Sequence, residues 1–120
     1  MSKYTGAWGE VLAARYLRDR DYPILAANYR TRFGEIDIVS EENGVLLFIE
    51  VKTRTRGMIA LPVESVDTEK QRKLSLAAAQ FLHGEPPGTR SRFDVIEVYL
   101  DENEQLQKIN HIKNAFDSRV

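Results

Sequence analysis

Three side chains in the first half of the chain have the types and spacing for phosphate chemistry: Asp37, then Glu50 and Lys52 separated by a single residue. They sit in Glu35-Ile36-Asp37-Ile38-Val39 and Val45-Leu46-Leu47-Phe48-Ile49-Glu50-Val51-Lys52, two stretches rich in branched aliphatics. Between them lies Asn43-Gly44, a dipeptide that favours a two-residue hairpin turn. With those two residues at the centre of the turn, Glu42 faces Val45, and counting back along both strands sets Asp37 opposite Glu50 and Glu35 opposite Lys52. All four side chains then share one face, while Ile36, Ile38, Ile49 and Val51 make an apolar layer on the other for a helix to cover.

Two carboxylates directly across an antiparallel pair lie about 5 Å apart and repel, so that pairing needs compensation. A hard divalent cation, Mg²⁺ or Mn²⁺, supplies it, because such ions take one or two carboxylates and complete their shell with water and phosphate oxygens. A bound metal lowers the pKa of its water and draws charge off a phosphate, and the Lys52 amine beside it can orient the water or the developing oxyanion. The alternative is an exposed charged face, with Glu35 and Lys52 as a cross-strand ion pair and both acids in solvent. A loop one residue longer would send Asp37 and Glu50 to opposite faces.

The elements that must position these groups are legible in outline. Residues 6 to about 20 read as a helix, since Ala7, Val11, Ala14 and Leu17 fall on one arc, with Thr5 as N-cap. Glu10 lies on that arc between Ala14 and Leu17, where an acid is disfavoured without a partner, so it is a candidate for a metal-bound water or a second ion. A flanking glutamate that reaches water or an arginine is the competing explanation. Asp21-Tyr22-Pro23 ends the helix and leads into a first strand over residues 24–32. Residues 53–66 read as a polar loop, and Thr68 with Gln71 as a capping box that opens a helix carrying Leu74, Ala77, Ala78 and Phe81 up to Gly84. Strands are expected over residues 93–100 and 106–111.

The 120 residues suit one domain, and a chain 42% hydrophobic and 29% charged is neither a bilayer protein nor a disordered one. With no cysteine, thiol nucleophiles and thiolate metal sites are excluded, and the opening residues lack the apolar stretch of a secretory signal, which makes the cytoplasm the expected compartment. A net charge of -1 means that any nucleic-acid contact must rest on a local patch. Arg54, Arg56, Lys70, Arg72 and Lys73 form such a cluster and can grip phosphates flanking a scissile bond, with Gln71 beside them. Solvated surface and helix capping account for these residues equally well.

Several motifs together resemble a known group. Asp37 followed by Glu50-Val51-Lys52, with a glutamate in the preceding helix, resembles the PD-(D/E)XK nuclease superfamily. Gly34-Glu35-Ile36-Asp37-Ile38, Phe48-Ile49-Glu50-Val51-Lys52-Thr53-Arg54, Lys70-Gln71-Arg72, Arg92-Phe93-Asp94-Val95 and Asn114-Ala115-Phe116 resemble its YraN-like bacterial family, described as similar to archaeal Holliday-junction resolvases. The likeness runs from Gly6-Ala7-Trp8-Gly9-Glu10 to Phe116. It implies an α/β restriction-endonuclease-like core, a mixed five-stranded sheet with an N-terminal helix and a second helix after strand three. It also implies Glu10, Asp37 and Glu50 as metal-site acids and Lys52 as the catalytic lysine. Ile36 stands where the superfamily name has proline, a position that carries no metal-binding group.

The implied activity is a Mg²⁺- or Mn²⁺-dependent endonuclease cutting DNA, with branched or junction DNA in view and a homodimer by analogy. A non-catalytic nucleic-acid-binding module on the same fold is the rival, and an interaction protein without a nucleic-acid partner a third. Trp8, Tyr16, Tyr29 and Phe48 are expected in packing, and Asp94, His83 and His111 in structural roles.

Overall fold

The computed structural model describes residues 4–55 and 66–120. The elements run α1 (Thr5–Asp19), β1 (Ala26–Arg30), β2 (Glu35–Glu42), β3 (Val45–Thr55), α2 (Thr68–Leu82), β4 (Arg90–Leu100) and β5 (Leu106–Phe116). The five strands form one sheet in the order β1-β2-β3-β4-β5, antiparallel throughout except for the parallel β3–β4 pair that α2 connects. This is the mixed sheet and helix placement expected of a restriction-endonuclease-like core. No described helix is long and apolar enough to cross a membrane.

Strand alternation divides the interior in two. Leu47 and Ile49 pack with Leu12, Ala13 and Leu17 of α1, whereas Leu46 and Phe48 pack with Leu74, Ala77 and Ala78 of α2. The β2–β3 turn takes the form its sequence predicts, with positive φ at both Asn43 (52°) and Gly44 (79°), and it sets Glu42 opposite Val45 and Ile38 opposite Ile49.

Beyond Ile38 the expected alternation fails. Ile38 lies in the α1-side core, but Ile36 lies in the α2-side core beside Phe48, so β2 rotates at Asp37. The β2–β3 ladder ends at the Ile38–Ile49 pair, and from there to Glu35 the strand is held by β1. Asn28 marks the same place on β1: its φ is 52°, a left-handed conformation that Asn tolerates better than most residues.

The element ends differ in detail from expectation. Thr5 is not the cap of α1; it is the first helical residue, and its hydroxyl donates to Glu104 in the β4–β5 turn, where the Trp8 indole donates to the Glu104 carbonyl at 3.0 Å. Asp67 rather than Thr68 caps α2, accepting from the Lys70 N–H at 2.8 Å. β5 runs past His111 to Phe116, because Ile112 pairs with Val95 and Phe116 stacks on Phe93 with ring centroids 4.7 Å apart.

Gly9 fixes how closely α1 lies on β3. A β-carbon at residue 9 would meet Thr53 Oγ1 at 1.9 Å and Thr53 Cβ at 3.1 Å. Gly9→Ala is therefore expected to destabilise the fold by about 1–3 kcal/mol despite the better helix propensity of alanine. The measurement is the urea midpoint at unchanged m-value, and an unshifted midpoint would mean that α1 has room to retreat.

Candidate active site

Asp37 projects from the point where β2 leaves β3. Its Oδ2 accepts a hydrogen bond from the Val51 N–H at 2.7 Å, which anchors the carboxylate at the end of the ladder next to Glu50. Burial and then the neighbouring Glu50 charge push the Asp37 carboxyl up to about 7, against the opposing pull of the Val51 N–H. The turn-derived register thus brings the two acids together, as expected, although the β2 rotation alters how Asp37 reaches its place.

Glu50 is buried, with only 6% of its side chain exposed, and meets two ammonium groups: Lys70 Nζ at 2.6 Å and Lys52 Nζ at 3.5 Å, both from its Oε1. Burial first, and then the adjacent Lys70, lower the pKa of Lys52. Burial also works to depress Lys70, but its contacts with Glu50 and Lys52 outweigh that and hold it above its ordinary value. One of the two amines is thus eased toward its neutral form and the other kept charged.

Glu10 reaches the same region from α1. Its pKa is raised, first by burial and then by Glu35 and Glu50. In the amide orientation that satisfies both neighbours, Asn28 donates to Glu10 Oε1 at 2.9 Å and to Glu35 Oε1 at 3.0 Å. Glu10, Asn28, Arg30, Glu35 and Asp37 line an open cleft of about 660 Å³ between α1 and the β1–β2 edge. The expected pairing of Glu35 with Lys52 is not formed. Because β2 has left β3 by that point, Glu35 sits opposite Arg30 of β1 and makes an ion pair with it at 3.6 Å.

The basic residues separate into groups. Arg54 extends the Glu50–Lys52 face and lies 3.9 Å from the buried Glu97, which also accepts from the Asn110 amide at 2.9 Å. Arg72 is held by Glu69 at 2.9 Å on the exposed side of α2. The Lys73 backbone and β-carbon lie close to Gly34. The Gln71 side chain donates to the Val66 carbonyl at 3.0 Å and accepts from Arg119 at 2.9 Å. Arg56 lies outside the described residues.

Among the described residues, no three histidine or acidic side chains form a metal-binding cluster. Asp37 and Glu50 nevertheless offer the donor set suited to Mg²⁺, which commonly uses one or two carboxylates and leaves its remaining positions to water and substrate. Burial first, and then the Glu50 charge, disfavour the ionised form of Asp37, and a bound cation would favour it. Asp94 and His111 stand apart, in a buried network with Tyr16 and Arg92, as their expected structural role requires.

Two features were missed in the sequence. Asn28, as an asparagine in a strand, carried a weak signal, since that residue is depleted there and tolerates positive φ. The seat of Lys70 on Glu50 carried none, because it depends on how α2 docks.

A family model described as "Uncharacterised protein family UPF0102" matches residues 9–98. This chain belongs to the UPF0102 family. Among its relatives, a UPF0102 protein from Alkaliphilus oremlandii is 46% identical over 119 residues, covering 97% of this chain and 100% of the relative. One from Clostridium beijerinckii is 43% identical over 117 residues, covering 97% and 95%. UPF0102 protein TTE1452 from Caldanaerobacter subterraneus is 42% identical over 121 residues, covering 95% of each. UPF0102 is the YraN-like family that the sequence motifs resemble.

Proposed function

We propose that this UPF0102 protein is a Mg²⁺- or Mn²⁺-dependent endonuclease that hydrolyses phosphodiester bonds of DNA, branched or junction DNA being the substrate class to test first. The observation that carries this reading is the juxtaposition of Asp37 and Glu50, a repulsive acid pair with Asp37 pushed up to about 7, beside Lys52. Stability alone disfavours such a pair, and functional sites are where such perturbed groups concentrate.

Asp37 and Glu50 would hold the metal, with Glu10 placed for a metal-bound water or a second ion. The metal, when bound, supplies a more acidic water and draws charge from the phosphate. Val51 N–H keeps the Asp37 carboxylate aimed, and Glu50 keeps the Lys52 amine at the site. Lys52, its pKa lowered by burial, would orient the attacking water or the developing oxyanion. Arg72, on the exposed side of α2, and Lys73 would contact phosphates flanking the reacting one, with salt-sensitive binding as the expected signature.

The test is cleavage of four-way, flap, single-stranded and duplex DNA with Mn²⁺ by the purified protein and by Lys52→Ala. The parent is expected to cut at least one of these, and Lys52→Ala to cut it slower by on the order of 10²- to 10⁴-fold while still binding DNA. Equal cutting by both proteins would indicate a contaminant. Binding without cutting by the parent would favour a non-catalytic DNA-binding module.

A further inference from the structure

Lys70 is half exposed, with 41% of its side chain open, yet its ammonium is 2.6 Å from Glu50 Oε1, closer than Lys52 at 3.5 Å. It stands in the first turn of α2, where a positive charge is opposed by the helix dipole. Its position is therefore sustained by the acids it faces: Glu50 by direct contact and Asp37 through space. Lys52 is held on β3 with 22% of its side chain exposed, whereas the greater exposure of Lys70 on α2 gives its ammonium a route to solvent.

We propose that Lys70 is a tethered counter-ion of the Asp37–Glu50 pair that competes with the divalent cation, so that metal entry displaces its ammonium from Glu50. The inference rests on the metal-site reading above and adds a device to it. One positive group stabilises the acid pair before loading, and the same group, once displaced, stands at the rim of the site where a substrate phosphate would lie. Loading the site thus also supplies a cation for substrate. A compact ammonium on a flexible stem suits this exchange better than a guanidinium, whose paired donors hold a carboxylate more firmly.

The experiment is calorimetric titration of Mn²⁺ into the full chain, without DNA, for the parent, Lys70→Met, Lys70→Gln and Lys113→Met. Lys113 pairs with Glu42 at 3.6 Å and controls for loss of one positive charge elsewhere. Both Lys70 variants are expected to bind Mn²⁺ about tenfold more tightly than the parent, the equivalent of one displaced ion pair, while Lys113→Met stays within about twofold. Measurable binding by the parent with equal or weaker binding by both Lys70 variants would overturn the counter-ion role and leave the metal site standing. Tightening by Lys113→Met to the same degree would also overturn it, as an effect of overall charge. No binding by any of the four, each shown folded by circular dichroism, would overturn the metal-site reading itself.

Discussion

Asp37→Asn is expected to abolish metal-dependent cleavage and at the same time to make the protein more stable at pH 8. The cleavage loss is of the size seen when a member of a catalytic unit is removed, on the order of 10³-fold or more. The stability gain follows from the sign of the Asp37 shift. Its folded pKa, raised to about 7 by burial and by Glu50, lies above the ordinary value of 3.8. Above pH 7 the folded protein therefore carries an ionised acid that the unfolded chain accommodates more easily. Between pH 7 and 4 the folded state binds a proton that the unfolded state does not, and stability rises as pH falls. Asparagine is neutral throughout and can keep an oxygen toward the Val51 N–H. Solvent at the cleft screens the repulsion, so the expected gain is about 1–2 kcal/mol at pH 8, shrinking to nothing near pH 4. Urea unfolding of parent and variant at both pH values measures it. A variant that is less stable at pH 8, or that cuts as well as the parent, would remove Asp37 from the proposed role.

Asp94→Ala is expected to do the reverse, at a cost to stability of about 3–5 kcal/mol at neutral pH. Asp94 is fully buried and accepts from Arg92 Nε at 3.0 Å and from the Asn114 N–H at 3.0 Å, with His111 Nε2 at 2.8 Å. Truncation leaves these groups without their acceptor in the interior and frees the Asn114 backbone, whose φ of 51° accompanies the irregular β4–β5 pairing. Burial pushes the Asp94 carboxyl up, but the bonds from His111, Arg92 and Asn114 together outweigh it and hold it below the ordinary range. Its contribution is accordingly present above an unfolded pKa near 4 and lost as pH falls through the lower folded value. Parent and variant should converge only in strong acid. A loss under 1 kcal/mol at pH 7 would contradict the network. The two aspartates thus have opposite pH signatures, one charge placed at a cost to folding and one on which folding depends.

What could be read from the sequence follows from the range of the interactions concerned. Asn43-Gly44 sets a turn through its own backbone preferences, so the register from Glu42 to Ile38 and the meeting of Asp37 with Glu50 were accessible to counting. The rotation of β2 was not, because it depends on β1 taking over where β3 lets go, with Asn28 in a left-handed conformation opposite the change. Ile36 was accordingly assigned to the wrong core and Glu35 to the wrong partner. The α2 cap fell on Asp67 because its carboxylate reaches the Lys70 N–H, an option that a Thr68–Gln71 capping box overlooks. An end of β5 at His111 falls short because the residues that follow are mostly polar, while Ile112 and Phe116 gain their apolar partners only from β4.

The parallel pairing of β3 with β4 joins residues far apart along the chain, from Val45 with Arg90 to Thr55 with Leu100, through α2. Closing so large a loop is entropically slow compared with zipping a tight turn. Hairpin β2–β3 therefore gathers the acids early, and the helix bearing Lys70 docks only when the crossover closes. The hairpin thus brings Asp37 and Glu50 together with Lys52 as their one nearby amine, and the Lys70 ammonium joins them only once the crossover has closed.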